Sequence, residues 1–246
     1  VFWGTGDGFL TAVDANTGIP AAEFGSGGRV DLYDGLPRTN RGQLDVLELL
    51  PLASQSPPLI VGDTVIIGST INDRALTKEA PPGWVRAYDA RTGQHKWDFH
   101  TVPQSSDEFG ADTWLNDSWR YSGNTNVWSL MSGDDELGYA YLPIGTATSD
   151  YYGGHRLGDN LFAESLVAVD VETGRRQWHF QMVHHGLWDY DLPAAPNLLD
   201  VIVSGRTIKA VAQVSKQGFL YAFDTKPVFN KEEDLNVLKE AWRLDC

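Results

Sequence analysis

Three features of the sequence predict an all-β fold. Glycine (25) and the strand-favouring aromatics tryptophan (9) and tyrosine (9) are abundant, and no long Ala/Glu/Lys/Leu tract offers a helix. Short apolar runs alternate with turn residues throughout, with no helical period between them to form a crossover. A turn of the form Asp-x-x-Thr-Gly recurs, in TAVDANTG at Asp14, RAYDARTG at Asp89 and VAVDVETG at Asp170, with a degenerate YAFDTKP at Asp224. The intervals of 75, 81 and 54 residues exclude a short-period solenoid.

Each element follows from its local chemistry. An apolar strand leads into the turn, the aspartate opens it by accepting backbone amides, glycine supplies the positive-φ position, and a returning strand follows. Trp97 and Trp178 each stand eight residues after their aspartate, a fixed height at which an indole suits the gap between packed sheets. The runs PPLIVGDTVIIGS (57–69), LGYAYLPIG (137–145) and IKAVAQVSKQGFLYAFD (208–224) supply further strands and hairpins. Several short strands per repeat, without crossover helices, predict Trp-docked four-stranded antiparallel blades arranged radially, a β-propeller of about four blades in a single domain over 1–246. A β-sandwich would match the strand number but gives no reason for tryptophan to recur after the same turn. The first repeat departs from the pattern, with Ala22 where Trp97 and Trp178 stand. The long loops 28–56 and 103–126 are expected to line a pocket.

Charge and cysteine content narrow the function. A formal net charge of −14 argues against phosphate-neutralising roles, so nucleic acid is not an expected partner. No apolar run reaches the roughly 18–20 residues needed to cross a bilayer. The single cysteine, Cys246, is the last residue and forms no disulfide within the chain. The chain opens at Val1 inside a strand-like run and closes on EAWRLDC. The expectation is therefore a propeller truncated at both ends, with any leader or anchor lying elsewhere. A chain holding only part of a propeller would expose sheet edges, and is expected to be poorly stable and inactive by itself.

The segment HHGLWDYDLP (184–193) crowds two histidines, a tryptophan and two carboxylates together, which is costly to bury unless they meet a ligand or each other. His184 and His185 lack further His or Cys at zinc-ligand spacing and are read as pocket-wall groups. Asp191 is read as an orienter of its neighbours. This segment, with PPGWVRAYDARTGQHKW, YLPIGTATSDYYGG and AVAQVSKQGFLYAFD, resembles the quinoprotein dehydrogenases that use pyrroloquinoline quinone (PQQ), and most nearly their membrane-type glucose dehydrogenase branch. The likeness runs from Val1 to about Asp224.

The resemblance implies an eight-bladed parent propeller with PQQ near its axis and a divalent cation, Ca2+ or Mg2+, beside the quinone. It implies that Asp189 is the general base taking the hydroxyl proton of the substrate as hydride passes to PQQ. Lys216 would reach a quinone oxygen, and Trp128 would lie under the cofactor plane. Asn72, Asp73 and Thr148 would supply oxygen ligands to the metal. This chain has Asn-Asp where relatives tend to have Asp-Asn, so either of the two could ligate.

The function implied is oxidation of a sugar, polyol or other alcohol, with electrons passed to a quinone or other acceptor. The setting implied is the periplasm, with membrane association through segments outside this chain. The competing reading is a non-catalytic propeller scaffold similar to the outer-membrane assembly lipoproteins. A scaffold gives no reason to hold Asp189, Lys216, Trp128 and Thr148 together.

Overall fold

The structure is a computed structural model that describes residues 1–39, 41, 52–71 and 77–225. Four antiparallel sheets follow one another along the chain. The first contains β1 (Phe2–Gly4), β2 (Phe9–Ala12) and β3 (Arg29–Asp31). β4 (Leu52–Ala53) pairs with β7 (Thr70–Ile71) in a two-stranded ribbon beside the second sheet, made of β5 (Leu59–Val61), β6 (Thr64–Ile67), β8 (Val85–Asp89) and β9 (His95–Phe99). The third sheet is β10 (Ser132–Asp134), β11 (Tyr139–Pro143), β12 (Ser165–Asp170) and β13 (Arg176–Gln181). The fourth is β14 (Asn197–Val203), β15 (Arg206–Val214) and β16 (Leu220–Asp224). Within each sheet the strands pair in chain order, as a meander requires, with β7 of the ribbon intervening between β6 and β8, and the blades are those of a partial β-propeller. The only helical turns among the described residues are two 3₁₀ pieces, Ala111–Thr113 and Leu115–Arg120, in the long loop after β9.

Apolar burial lies between sheets. One cluster joins the first two sheets through Leu10, Phe24, Leu32, Val65, Ile67 and Tyr88. A second joins the middle pair through Ile66, Val85, Trp97, Leu142 and Val167, and a third joins the last two through Tyr141, Leu166, Trp178, Val211 and Phe223. The second and third sheets thus bury both faces and the first and fourth one face each, and stacking supplies the hydrophobic stabilisation a lone sheet lacks. β10, the first strand of the third sheet, approaches β5 and β14, the first strands of the sheets on either side. Gly133 of β10 permits this, since a Cβ there would fall 2.4 Å from Val61 Cγ2.

The recurring tryptophans behave as the spacing predicts. Trp97 is buried, donates its indole N–H to Val171 O at 2.8 Å, and lies on Gly174 of the next blade's turn, where a Cβ would meet its ring at 2.6 Å. Trp178 takes the equivalent place one blade later, 5.5 Å from the Phe223 ring. In the first blade, where Ala22 breaks the pattern, main chain replaces the indole. Gly25 N–H donates to Thr92 O at 2.8 Å and its backbone crowds Gly93. No helix among the described residues is long and apolar enough to cross a membrane.

Candidate active site

The site forms where three distant pieces of chain meet at one end of the third and fourth sheets. The first is the connection leading into β10, which carries Trp128. The second is the segment between β13 and β14, which carries Asp189 and Asp191. The third is the β15–β16 turn, which carries Lys216. The buried run Ala210–Gln213 takes that turn inward, and Lys216 N–H donates to Asp191 O at 2.9 Å. The lysine backbone is thereby fixed as well as its head group.

Lys216 Nζ donates to Asp189 Oδ2 at 2.8 Å and to Asp191 Oδ2 at 2.9 Å. Trp128 Nε1 donates to the same Asp191 Oδ2 at 2.9 Å, and the ammonium stands 5.5 Å from the centre of the Trp128 ring. Asp191 Oδ1 accepts Thr146 N–H at 2.7 Å and contacts Thr146 Oγ1 at 3.1 Å. The structure therefore unites Asp189, Lys216 and Trp128, with buried Asp191 as the joint between them. The ammonium has three protons and spends two on carboxylates, leaving one for a ligand.

The electrostatics follow from this geometry. Burial pushes the Asp189 carboxyl above its ordinary range, the Lys216 hydrogen bond opposes this, and the Asp191 charge adds to it. Burial by itself would lower the Lys216 pKa, and its hydrogen bonds to Asp189 and Asp191 outweigh that and raise it, so the ammonium stays charged. Asp189 adopts φ +54°, a left-handed conformation that aspartate tolerates better than most residues and that frequently marks a functional position. Tyr151 and Trp188 stand exposed beside it, and the Asp189 charge raises the Tyr151 phenol pKa.

Thr148 is fully buried but bonds to none of these three. Its carbonyl accepts Arg156 Nε–H at 3.1 Å, and Arg156 Nη2 donates to Gly186 O at 2.7 Å, which ties the Thr148 loop to the segment carrying Asp189. Asn72 and Asp73 lie outside the described residues. Their neighbour Thr70, with Ser69, lines a narrow crevice beside Trp128. Ser69 Oγ, Thr70 Oγ1 and Thr148 Oγ1 are buried oxygens without a hydrogen-bond partner among the described residues. Hard, unsatisfied oxygens of this kind suit a cation or polar ligand. A half-buried indole face beside a fixed ammonium likewise suits a flat, electron-accepting cofactor. Among the described residues no group of three or more His, Cys, Asp or Glu side chains could hold a metal ion by itself.

His185 anchors its segment by bonding Gly158 O through Nδ1 at 2.8 Å, and His184 is exposed. Three participants were not found from the sequence: Thr146, Arg156 and Glu164. Only Glu164 left a signal there, as a charge at the head of the apolar run SLVAVD.

Comparison with known proteins agrees with this architecture. The family model described as "Glucose/ethanol/alcohol dehydrogenase, beta-propeller domain", for PQQ proteins, matches residues 1–235. The chain is 36% identical over 228 residues to a quinate/shikimate dehydrogenase (quinone) of Acinetobacter baylyi, covering 91% of this chain and 26% of that protein. It is 32% identical over 230 residues to quinoprotein glucose dehydrogenase A of Acinetobacter calcoaceticus, covering 92% and 27%. The solved structure of the quinohemoprotein alcohol dehydrogenase ADHIIG of Pseudomonas putida HK5 superposes with a TM-score of 0.75 at 29% identity, over 91% of this chain and 31% of that one. The chain thus spans about a quarter to a third of the length of these relatives. Family model, relatives and fold coincide, and the chain belongs to the PQQ-dependent glucose/ethanol/alcohol dehydrogenase β-propeller family.

Proposed function

We propose that the protein carrying this chain oxidises a sugar, polyol or similar alcohol, using PQQ and a divalent cation, and passes the electrons to a quinone or another acceptor. The observation that carries this reading is the double ion pair of Lys216 with Asp189 and Asp191 against Trp128. A non-catalytic scaffold has no use for a half-exposed lysine held by two carboxylates beside an indole face.

Asp189 is the general base. Its carboxylate removes the hydroxyl proton of the substrate as the carbinol carbon is oxidised to a carbonyl, and its raised pKa brings its basicity closer to that of the group it serves. Bound PQQ supplies the two-electron acceptor for the hydride equivalent leaving that carbon. Lys216 would hold the cofactor with its remaining proton and supply positive charge beside it, while Trp128 would support the cofactor face. Thr148, with Asn72 and Asp73, is proposed to hold Ca2+ or Mg2+ through oxygen, in keeping with the unpartnered Thr148 Oγ1. The proposed setting is periplasmic, and the domain is proposed to extend over 1–246.

Relatives are named for quinate or shikimate, glucose and glycerol, which are all polyhydroxylated, and exposed Tyr151 and Trp188 beside Asp189 offer ring faces for such substrates. The test uses the full polypeptide, loaded with PQQ and Ca2+, and a panel of sugars and polyols with a dye acceptor. Asp189→Asn should lower kcat/KM by roughly 10²–10⁴-fold, the range for a lost general base. Equal rates for wild type and variant would remove Asp189 from the mechanism, and no PQQ-dependent turnover on any substrate would end the reading.

A further inference from the structure

Glu164, the residue before β12, is fully buried, and no cation among the described residues bonds to it. Its Oε1 accepts Tyr190 N–H at 2.9 Å and contacts Thr146 Oγ1 at 3.2 Å. Its Oε2 has no hydrogen-bond partner among the described residues and is pressed against Gly186, where a Cβ would fall 1.6 Å away. The charged groups facing it among the described residues are Asp191, from the segment before β14, and Arg156, from the loop between β11 and β12. Arg156 spends its donors elsewhere, on Thr148 O, Ser149 O, Gly186 O and Asn160 Oδ1. Lys216 lies behind Asp191 and bonds the two aspartates. A carboxylate at Glu164 would be a buried anion beside another anion, with one oxygen unsatisfied, which is strongly unfavourable.

The Thr146 hydroxyl points the same way. It has one proton and contacts two carboxyl oxygens, Asp191 Oδ1 at 3.1 Å and Glu164 Oε1 at 3.2 Å, so it can donate to only one. Asp191 already accepts Thr146 N–H, Lys216 and Trp128, a set of donors suited to an anion. A proton on Glu164 Oε1 resolves the conflict: Glu164 donates to Thr146, and Thr146 donates to Asp191.

We propose that Glu164 is a protonated positioning residue of the site, whose carboxyl proton, relayed through the Thr146 hydroxyl, fixes Asp191 and thereby seats Lys216 and Trp128. The part of this proposal that concerns cofactor seating rests on the roles given to Lys216 and Trp128 above. Burial lifts the Glu164 pKa to about 7, the Tyr190 and Thr146 hydrogen bonds oppose this, and the Asp191 charge adds to it. As pH rises through that value Glu164 ionises, draws the Thr146 proton to itself, and leaves Asp191 with one donor fewer and a like charge nearby.

The test uses the full polypeptide, with two readouts that need no cofactor. In the wild type a protonated-carboxyl infrared band should be present at about pH 6 and lost by about pH 8.5, and the Trp128 indole 15N–H resonance should shift over the same range. Glu164→Gln should abolish both changes. Thr146→Val should keep the infrared band but abolish the Trp128 shift. In the loaded enzyme, kcat/KM should fall as pH rises through about 7 in the wild type, and this fall should be absent from both variants. A wild type without the band, a band unaffected by Glu164→Gln, or a Trp128 shift that survives Thr146→Val would overturn the proposal. The wild-type measurement decides even if a variant fails to fold. Missing turnover with the band and the Trp128 shift intact would defeat the functional reading while upholding the relay. Normal turnover without them would defeat the relay alone.

Discussion

The same residue type does opposite work at the turns between outer strands and at the Lys216 site. Asp14, Asp89 and Asp170 each close a turn with a single oxygen. Asp89 Oδ1 accepts Thr92 N–H and Oγ1–H, both at 2.8 Å, and Arg91 N–H at 3.0 Å, and the other two turns repeat the pattern. Every donor comes from two or three residues away and favours the charged form, so Asp14 and Asp89 are held below the usual carboxylate range by their threonines. Asp189 and Glu164 depend on partners 18–27 residues distant, in a place where burial favours the neutral form. Local hydrogen bonding thus builds the blades, and long-range burial builds the chemistry.

The strongest way to break this comparison is Lys216→Met. At a turn between outer strands a lost lysine would cost little. Here it leaves Asp189 and the buried Asp191 without their shared cation, and removes the positive charge assigned to the cofactor. We expect kcat/KM of the loaded full polypeptide to fall by roughly 10²–10³-fold, with weaker PQQ binding by fluorescence quenching. Unchanged affinity and rate would show that the ion pairs are only structural.

A pH series on stability sharpens the comparison, because the two classes of carboxylate have opposite signs. Glu164 has a folded pKa of about 7 against 4.5 unfolded, so its contribution is complete below about 4.5 and is lost as pH rises through 7. At 1.36 kcal/mol for each pKa unit this amounts to roughly 3 kcal/mol. The folded pKa values of Asp14 and Asp89 lie below 3.8, so their contribution is present above that value and is lost on acidification. Chemical denaturation of the wild type should therefore weaken toward both ends of the range. Glu164→Gln should flatten only the slope between about pH 5 and 8, and an unchanged slope there would mean that Glu164 is ionised in the folded protein.

This difference in range also governs what was legible in the sequence. Asp-x-x-Thr-Gly states its own hydrogen bonds, and a tryptophan eight residues after the aspartate states where it docks, so blades and turns could be read directly. Ala22 marked an exception whose remedy, Gly25 main chain against Thr92 and Gly93, exists only in three dimensions. Asp189, Lys216 and Trp128 were flagged by family motifs, and their meeting through Asp191 required partners 25–63 residues apart to converge. Thr146 left no pattern and Glu164 only a charge at the head of the run SLVAVD, because one hydroxyl shared between two carboxyls is a property of the folded site.

Asp170→Ala is the smallest effect and the sharpest control. Three hydrogen bonds converge on Asp170 Oδ1, from Thr173 Oγ1 at 2.7 Å, Thr173 N at 2.8 Å and Glu172 N at 3.1 Å, all in an exposed turn where water can replace the lost acceptor. The expected loss is therefore about 1 kcal/mol, well short of the cost of orphaning buried donors. The turn also seats Trp97, through Gly174 and the Val171 carbonyl, and a looser turn should let that indole move. Denaturation followed by tryptophan fluorescence should show the small destabilisation, and kcat/KM at saturating PQQ should stay at the wild-type value. A variant that kept its stability but lost turnover would put the outer turn in communication with the site, and the division of labour between the two sets of carboxylates would fail.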